Sequence, residues 1–223
     1  MLRGEAAHHV GRVLRAQEGQ MYELSDGREV WLGRVERAGK DEVEFALVER
    51  VEGYVPRVET TLLLAVVKFD AMEWALEKAT ELGVARIVPL AAARSEKGLL
   101  AAAVKRAERW KKILMEASQQ SRRVRVPELA EVEEAENAFA GREAEVKVLF
   151  SEAKEARGLR EVLAGASGVR TAALAIGPEG GWTEEEFAAA RKAGWREASL
   201  GGLILRTETA VVAGLAGMGV MVG

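Results

Sequence analysis

Residues 172–181 read AALAIGPEGG and residues 198–209 read ASLGGLILRTET, and these two stretches decide the fold. Each begins with a short apolar run, as expected for a buried strand, and then passes through glycines into a sequence suited to a helix. Open α/β sheets bind their ligands where strands end in loops of this kind. The sequence therefore predicts an α/β domain in which the two loops line one pocket.

The composition limits the classes of protein to consider. The chain has 223 residues, a formal net charge of −3 and no cysteine. This length can bury a full core in one large or two modest domains. The lack of cysteine excludes disulfides, thiolate metal sites and a cysteine nucleophile, and it favours the cytoplasm. Residues 1–10 lack the features of a secretory signal, and the longest apolar stretch, about 14 residues, is too short for a bilayer. We expect a soluble cytoplasmic protein without a metal.

The hydrophobic pattern changes near residue 60, which predicts two domains, 1–59 and 60–223. Before that point short segments alternate apolar and charged residues between turns such as 25–27 and 38–41, as in a small antiparallel sheet or barrel. After it, residues 61–67 read TLLLAVV, a continuous apolar run typical of a parallel strand covered on both faces. The predicted strands of the first domain are residues 21–24, 29–35, 42–48 and 51–55.

The second domain begins with a predicted βαβ unit. Asp70 is placed to cap a helix, Glu73 completes a capping box, and Gly83 supplies a left-handed stop before a strand at residues 85–90. A second capping box, Thr183 with Glu186, follows the first glycine loop. The other predicted elements are helices at residues 99–119, 158–163 and 184–193 and strands at residues 146–150, 172–176 and 198–200.

Charge is distributed unevenly along the chain. Residues 105–125 carry eight bases against two acids, and residues 126–165 carry ten acids against five bases. The basic stretch indicates either a surface for RNA phosphates or an ordinary solvated helix face. By contrast, acids crowd residues 184–186, just after the first glycine loop. A helix start of this kind repels phosphate and suits a neutral or cationic ligand.

The second loop leads into a helix with charges at its mouth. Arg206 and Glu208 stand there, whereas residues 210–221 are almost wholly apolar and contain three glycines. A helix so rich in small apolar residues is predicted to be buried on all sides. The two charges either anchor the helix as an ion pair or belong to a functional site.

Residues 176–181 (IGPEGG) and 205–210 (LRTETA) resemble the signature of the RsmE family, the 16S ribosomal RNA uracil-N3 methyltransferases of the SPOUT superfamily. Three further blocks occur in the family's order, at residues 9–15, 78–89 and 109–127, so the resemblance spans nearly the whole chain. Two residues depart from the pattern. Leu203 stands where the family usually has an arginine, and Gln119 replaces a common glutamate.

The resemblance implies a fold and a reaction. The expected fold is α/β, with an N-terminal PUA-like β-barrel that binds RNA and a C-terminal SPOUT domain tied in a deep trefoil knot. The expected reaction transfers a methyl group from S-adenosylmethionine to N3 of a specific uridine. The implied partners are 16S rRNA within the small ribosomal subunit and a second copy of the chain.

The resemblance also implies roles for individual residues. Arg206 would orient the base or stabilise charge on its carbonyl oxygens, and Glu208 would act as the base or position Arg206. Arginines at the N-terminal motif and in the basic stretch would contact RNA phosphates: Arg12, Arg15, Arg122, Arg123 and Arg125. Backbone and side chains of the two loops would hold the cofactor: Ile176, Gly177, Pro178, Glu179, Gly180, Gly181, Leu200, Gly201, Ile204, Leu205 and Thr209.

Two alternatives remain at this point. A SPOUT enzyme that methylates a ribose 2′-OH or another base would share the same loops. A non-catalytic RNA-binding protein would keep the basic stretch and the first domain without needing intact cofactor loops. His8 and His9, the only histidines, lie in the predicted first domain, where a structural or RNA-contact role is expected.

Overall fold

The computed structural model describes residues 1–39 and 41–222. Lys40, within the predicted turn at residues 38–41, and Gly223, the last residue of the predicted second domain, lie outside the described residues. The chain forms two compact units. The first contains residues 1–55 together with residues 122–125, and the second contains residues 56–121 and the chain from residue 126 onward.

The first unit is built on an antiparallel sheet with the strand order β1-β4-β3-β2. The predicted strand at residues 51–55 is wrong, because β4 runs without interruption to Val51 and pairs there with Val30. Bulges at Leu32/Gly33 and Val35/Arg37 interrupt the alternation of side chains between the two faces of the sheet. The sequence pattern therefore does not show how long these strands are. The elements are β1 (Leu2–Arg3), α1 (Gly4–His8), a π-helical turn (His9–Val13), β2 (Met21–Ser25), β3 (Val30–Ala38) and β4 (Glu42–Val51).

The second unit contains a parallel sheet with the order β11-β9-β10-β5-β6-β7, and β8 also pairs with β6. Its α/β class is as predicted. The strands are β5 (Glu59–Ala65), β6 (Arg86–Ala91), β7 (Glu128–Leu129), β8 (Glu133–Glu134), β9 (Val146–Phe150), β10 (Thr171–Ile176) and β11 (Arg196–Ala198). The helices are α2 (Phe69–Glu81), α3 (Lys97–Gln120), α4 (Ala135–Ala140), α5 (Leu159–Val162), α6 (Glu184–Lys192) and α7 (Thr207–Val222).

Helices cover both faces of the parallel sheet. Leu62 and Leu64 of β5 face the core formed with α2, α3, α5 and α7, whereas Leu63 faces a second core with α4 and α6. All three leucines are fully buried. The continuous apolar run in this strand therefore reflects burial on both faces, which confirms the prediction from its sequence.

The predicted capping box at α2 is wrong. The helix begins at Phe69, two residues earlier than a cap at Asp70 would place it, and Phe69 packs edge-on against Trp110 of α3 with ring centroids 6.2 Å apart. Asp70 therefore lies inside the first turn. Glu73 instead accepts hydrogen bonds from Nε and Nη2 of Arg109, at 2.7 and 2.6 Å, so it joins α2 to α3. The stop at Gly83 is confirmed, with a φ of +89°.

Glu73→Gln is expected to lower the free energy of unfolding near neutral pH by up to about 1 kcal/mol, because Gln loses the charge that Arg109 pairs with. The hydrogen bond and charge of Arg109 lower the pKa of Glu73 below its ordinary 4.5. This contribution is therefore full above that value and is lost as pH falls through the lowered pKa. Urea unfolding at successive pH values should show the two proteins converging in acid.

Glu108→Gln is the matched control, since Glu108 pairs with Lys111 at the surface of α3 and is 86% exposed. We expect little change in its stability at any pH. A Glu73→Gln deficit that stayed constant from neutral pH into acid would contradict a role for the charged pair.

The terminal helix α7 is buried on one side only, so the prediction of burial on all sides is wrong for the single chain. Val211, Leu215 and Met218 lie in the core, and Gly214 packs so closely that a Cβ there would come within 2.7 Å of the Phe150 ring. Val220, by contrast, is 87% exposed. Within residues 1–39 and 41–222, no helix has the length and hydropathy needed to cross a bilayer.

Candidate functional site

The two glycine loops meet at the carboxyl ends of the parallel strands. The first follows β10, the second follows β11, and β9 lies between these strands. Thr207, the first residue of α7, donates a hydrogen bond from its hydroxyl to the carbonyl of Gly177, at 3.2 Å. This bond joins the end of the second loop to the start of the first. The ligand edge predicted for an open α/β sheet thus carries both loops side by side.

Close contacts hold the first loop. The amide of Gly181 donates to the carbonyl of Pro178 at 2.8 Å, and Gly181 has a φ of +69°. The indole of Trp182 donates to the Phe150 carbonyl at 3.0 Å and lies against Gly177, where a Cβ would come within 3.0 Å of the ring. These contacts fix the path of the loop, in which Glu179 and Gly180 are exposed.

The helix that follows the first loop has the capping box predicted from its sequence. The Thr183 hydroxyl accepts from the amide of Glu186 at 3.3 Å, and the Glu186 carboxylate accepts from the amide of Thr183 at 2.8 Å. The other oxygen of Glu186, a buried side chain, accepts from the amide of Ala93 at 2.8 Å. Protein oxygens thus occupy this helix start, in agreement with a ligand that is not a phosphate.

Glu185 adds a charge at the same helix start. Its own backbone amide and the Thr183 hydroxyl donate hydrogen bonds that lower the pKa of this carboxyl. The group is therefore ionised at neutral pH and contributes negative charge beside the first loop.

The second loop turns tightly through Ser199 and Gly201. The Ser199 hydroxyl donates to the Gly201 carbonyl at 2.9 Å and accepts from its amide at 3.2 Å. Gly201 has a φ of +135°, which favours glycine. The predicted strand at residues 198–200 is wrong in its extent. Strand β11 ends at Ala198, and Ser199 instead forms an isolated bridge with Gly158.

The predicted catalytic pair lies at the start of α7. Arg206 is exposed just before the helix, and Glu208 is half-buried in its first turn. Among the described residues, neither side chain makes a hydrogen bond or an ion pair. The alternative of an anchoring ion pair is therefore not what the structure contains. Both charges are available at the mouth of the helix.

The remaining predicted cofactor residues differ in exposure. Ile176 and Pro178 are buried, whereas Glu179, Gly180 and Thr209 are exposed. Leu200 and Leu205 are half-buried, while Ile204 is 79% exposed and so is not fixed by packing within this chain. The contact of Thr207 with Gly177 is not among the features predicted from the sequence. A hydroxyl residue at the start of a helix after a glycine loop is nevertheless a signal for a hydrogen bond of this kind.

The five predicted RNA-binding arginines belong to the first unit. Arg12 and Arg15 are exposed on and just after the π-helical turn. Arg122 lies 3.5 Å from the carboxylate of Glu23, and Arg125 donates to the Gly27 carbonyl at 2.9 Å. Arg123 is half-buried, and burial lowers its pKa. Arg12 and Arg15 thus differ from Arg122 and Arg125 in that their side chains have no hydrogen bond or ion pair among the described residues.

Comparison with known protein families identifies a domain in each of the two units. Residues 55–219 match the RNA methyltransferase domain family, and residues 2–48 match the RNA methyltransferase PUA domain family. These two matches cover most of the chain. The first unit therefore contains a PUA domain, and the second contains a methyltransferase domain.

Full-length relatives agree with this assignment. The ribosomal RNA small subunit methyltransferase E of Aquifex aeolicus is 31% identical over 94% of this chain and 88% of its own length. That of Mycobacterium bovis is 33% identical over 98% and 85%. The crystal structure of the Neisseria gonorrhoeae enzyme bound to S-adenosylmethionine superposes with a TM-score of 0.90 at 30% identity, covering 100% of this chain and 91% of that one. The chain belongs to the RsmE family of RNA methyltransferases.

Proposed function

We propose that this protein transfers a methyl group from S-adenosylmethionine to N3 of a specific uridine in 16S rRNA of the small ribosomal subunit, in the cytoplasm. The observation that carries the proposal is the hydrogen bond between Thr207 and Gly177, which joins the two glycine loops at the ligand edge of the sheet. A relative with the same fold has S-adenosylmethionine bound. The reaction is the one implied by the family's signature residues.

The loops fit this cofactor. Apart from the adjacent residues in the chain, no atom of the described residues lies within 4 Å of where a Cβ would stand on Gly201 or Gly202, so the backbone there is open to a ligand. The acids beside the first loop suit a cationic sulfonium and disfavour a phosphate. Backbone amides and carbonyls of the two loops would bind the adenine, as close approach at glycine allows. The eleven loop residues from Ile176 to Thr209 named from the sequence are the proposed cofactor contacts.

The chain's own residues supply the rest of the chemistry. When bound, S-adenosylmethionine provides an electrophilic methyl group. N3 of uracil can attack only after losing its proton, which leaves negative charge on the ring and its carbonyl oxygens. Arg206 orients the base or stabilises the charge on one of these oxygens. Glu208, two residues away on the same helix start, accepts the proton or positions Arg206.

We also propose the finer features of the fold implied by the family. Residues 1–59 form the RNA-binding domain, and residues 60–223 form a SPOUT domain whose C-terminal segment threads a deep trefoil knot. Close packing of α7 supports this. A Cβ on Gly214 would meet the Phe150 ring at 2.7 Å, and one on Gly217 would meet Leu159 at 2.9 Å. A slim helix of this kind suits passage through a narrow opening.

Arg12→Ala is expected to weaken RNA binding several-fold at moderate salt. The loss of one phosphate contact should reduce the slope of log affinity against log salt by about 1. Fluorescence anisotropy with a small-subunit RNA fragment across a salt series measures both quantities. Arg37→Ala, also on the first unit but paired with Glu42 at 3.6 Å, is the control. An unchanged salt slope for Arg12→Ala would show that Arg12 does not contact an RNA phosphate.

The proposed active form is a homodimer. The apolar side chains of Leu203 and Ile204 are 83% and 79% exposed, and Val220 is 87% exposed at the end of α7. The family resemblance implies a second copy of the chain as a partner, and these exposed side chains are the contacts proposed for it. Sedimentation equilibrium at micromolar concentration should give twice the mass of the 24.1 kDa chain. A mass of one chain at all concentrations would contradict the dimer.

Label transfer tests the proposed function. Small-subunit RNA, free and assembled with ribosomal proteins, is incubated with the protein and S-adenosylmethionine labelled in its methyl group. We expect label in the RNA in at least one of the two forms. Binding of S-adenosylmethionine by calorimetry without any transfer would instead support a protein that binds the cofactor but does not catalyse the reaction.

A further inference from the structure

A cleft lies beside the first glycine loop. Its walls are residues 66–68 just after β5, residues 94–96 after β6 and residues 178–180 after β10, and its volume is about 180 Å³. These three strands are neighbours in the sheet, so the cleft opens at the edge where α/β sheets bind ligands. One wall is the loop proposed to hold the methyl donor. A group bound in the cleft would therefore lie next to that donor.

Hydrogen bonds fix the walls with respect to one another. Arg94 donates from Nη1 to the carbonyl of Gly180 at 2.7 Å, which ties the loop after β6 to the glycine loop. The buried Ser95 donates from its hydroxyl to the carbonyl of Val66 at 3.1 Å, which ties the same loop to the end of β5. Glu186 holds the neighbouring amide of Ala93. These hydrogen bonds thus hold the walls of the cleft in fixed positions.

The charges at the cleft indicate what it can bind. Lys68 and Arg94 supply two cations, while Glu96 and Glu179 supply two carboxylates, so the four formal charges cancel. Among the described residues the side chain of Lys68 makes no hydrogen bond or ion pair, and it is exposed. A phosphate would gain little from a site without net charge. A neutral ring with polar edges matches the balanced charges. It also matches the volume of the cleft, which is smaller than the about 300–1,000 Å³ of pockets for drug-sized ligands.

We propose that this cleft receives the target uracil and that Lys68 is a catalytic residue whose ammonium binds a carbonyl oxygen next to N3. This inference rests on the proposed function. When N3 loses its proton, the negative charge spreads onto the two flanking carbonyl oxygens. An ammonium held at one of them stabilises that charge more than it stabilises the neutral base. Arg94 is a positioning residue, because its guanidinium holds Gly180 and so sets the glycine loop against the cleft.

The kinetic test is Lys68→Ala. We expect kcat near neutral pH to fall about 100-fold, as when one donor to a developing anion is removed. Without the ammonium the pKa of the bound uracil rises, so the activity of the variant should recover as pH increases. Lys68→Arg, which keeps a cation, should retain more activity than Lys68→Ala. Lys68 makes no side-chain cap to α2, so the variant is expected to fold normally.

Lys192→Ala is the matched control, since Lys192 is an exposed lysine on α6 and does not line the cleft. It should have the wild-type kcat. Calorimetry should show unchanged cofactor binding for both variants. Weaker RNA binding by Lys68→Ala at wild-type kcat would make Lys68 a phosphate contact and overturn the proposal.

Crosslinking tests the cleft without relying on turnover. The probe is small-subunit RNA with 4-thiouridine in place of the uridine that the wild-type protein methylates, as located by nucleoside mass spectrometry. We expect crosslinks in peptides that contain residues 66–68 or 94–99. Crosslinks only elsewhere, or none, would overturn the assignment. If the wild-type protein methylates no uridine, the proposed function itself fails, which is a distinct result from an active enzyme with a wild-type-like Lys68→Ala.

Discussion

Arg206→Ala is expected to lower kcat by about 100- to 1,000-fold, the range seen when a donor to a developing negative charge is removed. Arg206 is exposed at the start of α7, and its side chain makes no ion pair or hydrogen bond among the described residues. The substitution therefore breaks no contact that holds the fold. Its effect should fall on the methyl-transfer step, measured in single-turnover reactions with excess protein.

Two comparisons isolate the role of Arg206. Arg191→Ala removes an exposed arginine of α6, for which the structure shows no ion pair, and should leave kcat unchanged. Arg206→Lys keeps the charge but loses the planar fork of donors, so we expect an intermediate rate. Calorimetry should show wild-type cofactor affinity for Arg206→Ala. Full turnover by Arg206→Ala would remove Arg206 from the catalytic groups.

Gly177→Ala is expected to weaken S-adenosylmethionine binding at least tenfold, which is about 1.4 kcal/mol. The added Cβ would lie 3.0 Å from the Trp182 ring. That ring cannot move aside easily, because it is buried, donates to Phe150 and packs edge-on against Phe139 with centroids 5.5 Å apart. The loop must shift instead, and with it the carbonyl that accepts from Thr207. The two glycine loops would then separate.

The same overpacking should lower the free energy of unfolding by about 1–3 kcal/mol. Gly158→Ala is the control, because Gly158 has a negative φ and no atom within 4 Å of the added Cβ. It should bind the cofactor normally. Cofactor affinity is measured by calorimetry and stability by thermal unfolding. Wild-type affinity in a destabilised Gly177→Ala would show that this loop does not hold the cofactor.

Local patterns in the sequence predicted those elements whose contacts are themselves local. The strand at residues 146–150 is confirmed, because a buried apolar run has one interpretation in this context. The capping box of Thr183 and Glu186 is also confirmed, since both partners lie within four residues. The same pattern at Asp70 and Glu73 is wrong, because Arg109, 36 residues away from Glu73, takes its carboxylate.

In the candidate site, too, local features were predictable from the sequence and long-range contacts were not. Glycine spacing predicted the two loops, since close approach of backbone leaves a mark in the sequence. The hydrogen bond between Thr207 and Gly177 joins residues that are 30 apart in the sequence. It depends on how helix α7 packs beside strand β10. The exposed end of α7 could not be predicted either, because an exposed apolar residue gives the same sequence pattern as a buried one. Lys68 stood out only once three distant segments framed a cleft.

The most direct test of the account is the identity of the methylated nucleoside. Small-subunit RNA is incubated with the wild-type protein and S-adenosylmethionine, digested to nucleosides and analysed by mass spectrometry against synthetic standards. We expect a single new product, N3-methyluridine, which forms about 100- to 1,000-fold more slowly when Arg206→Ala replaces the wild-type protein. A methyl group on a ribose or on another base would contradict the account.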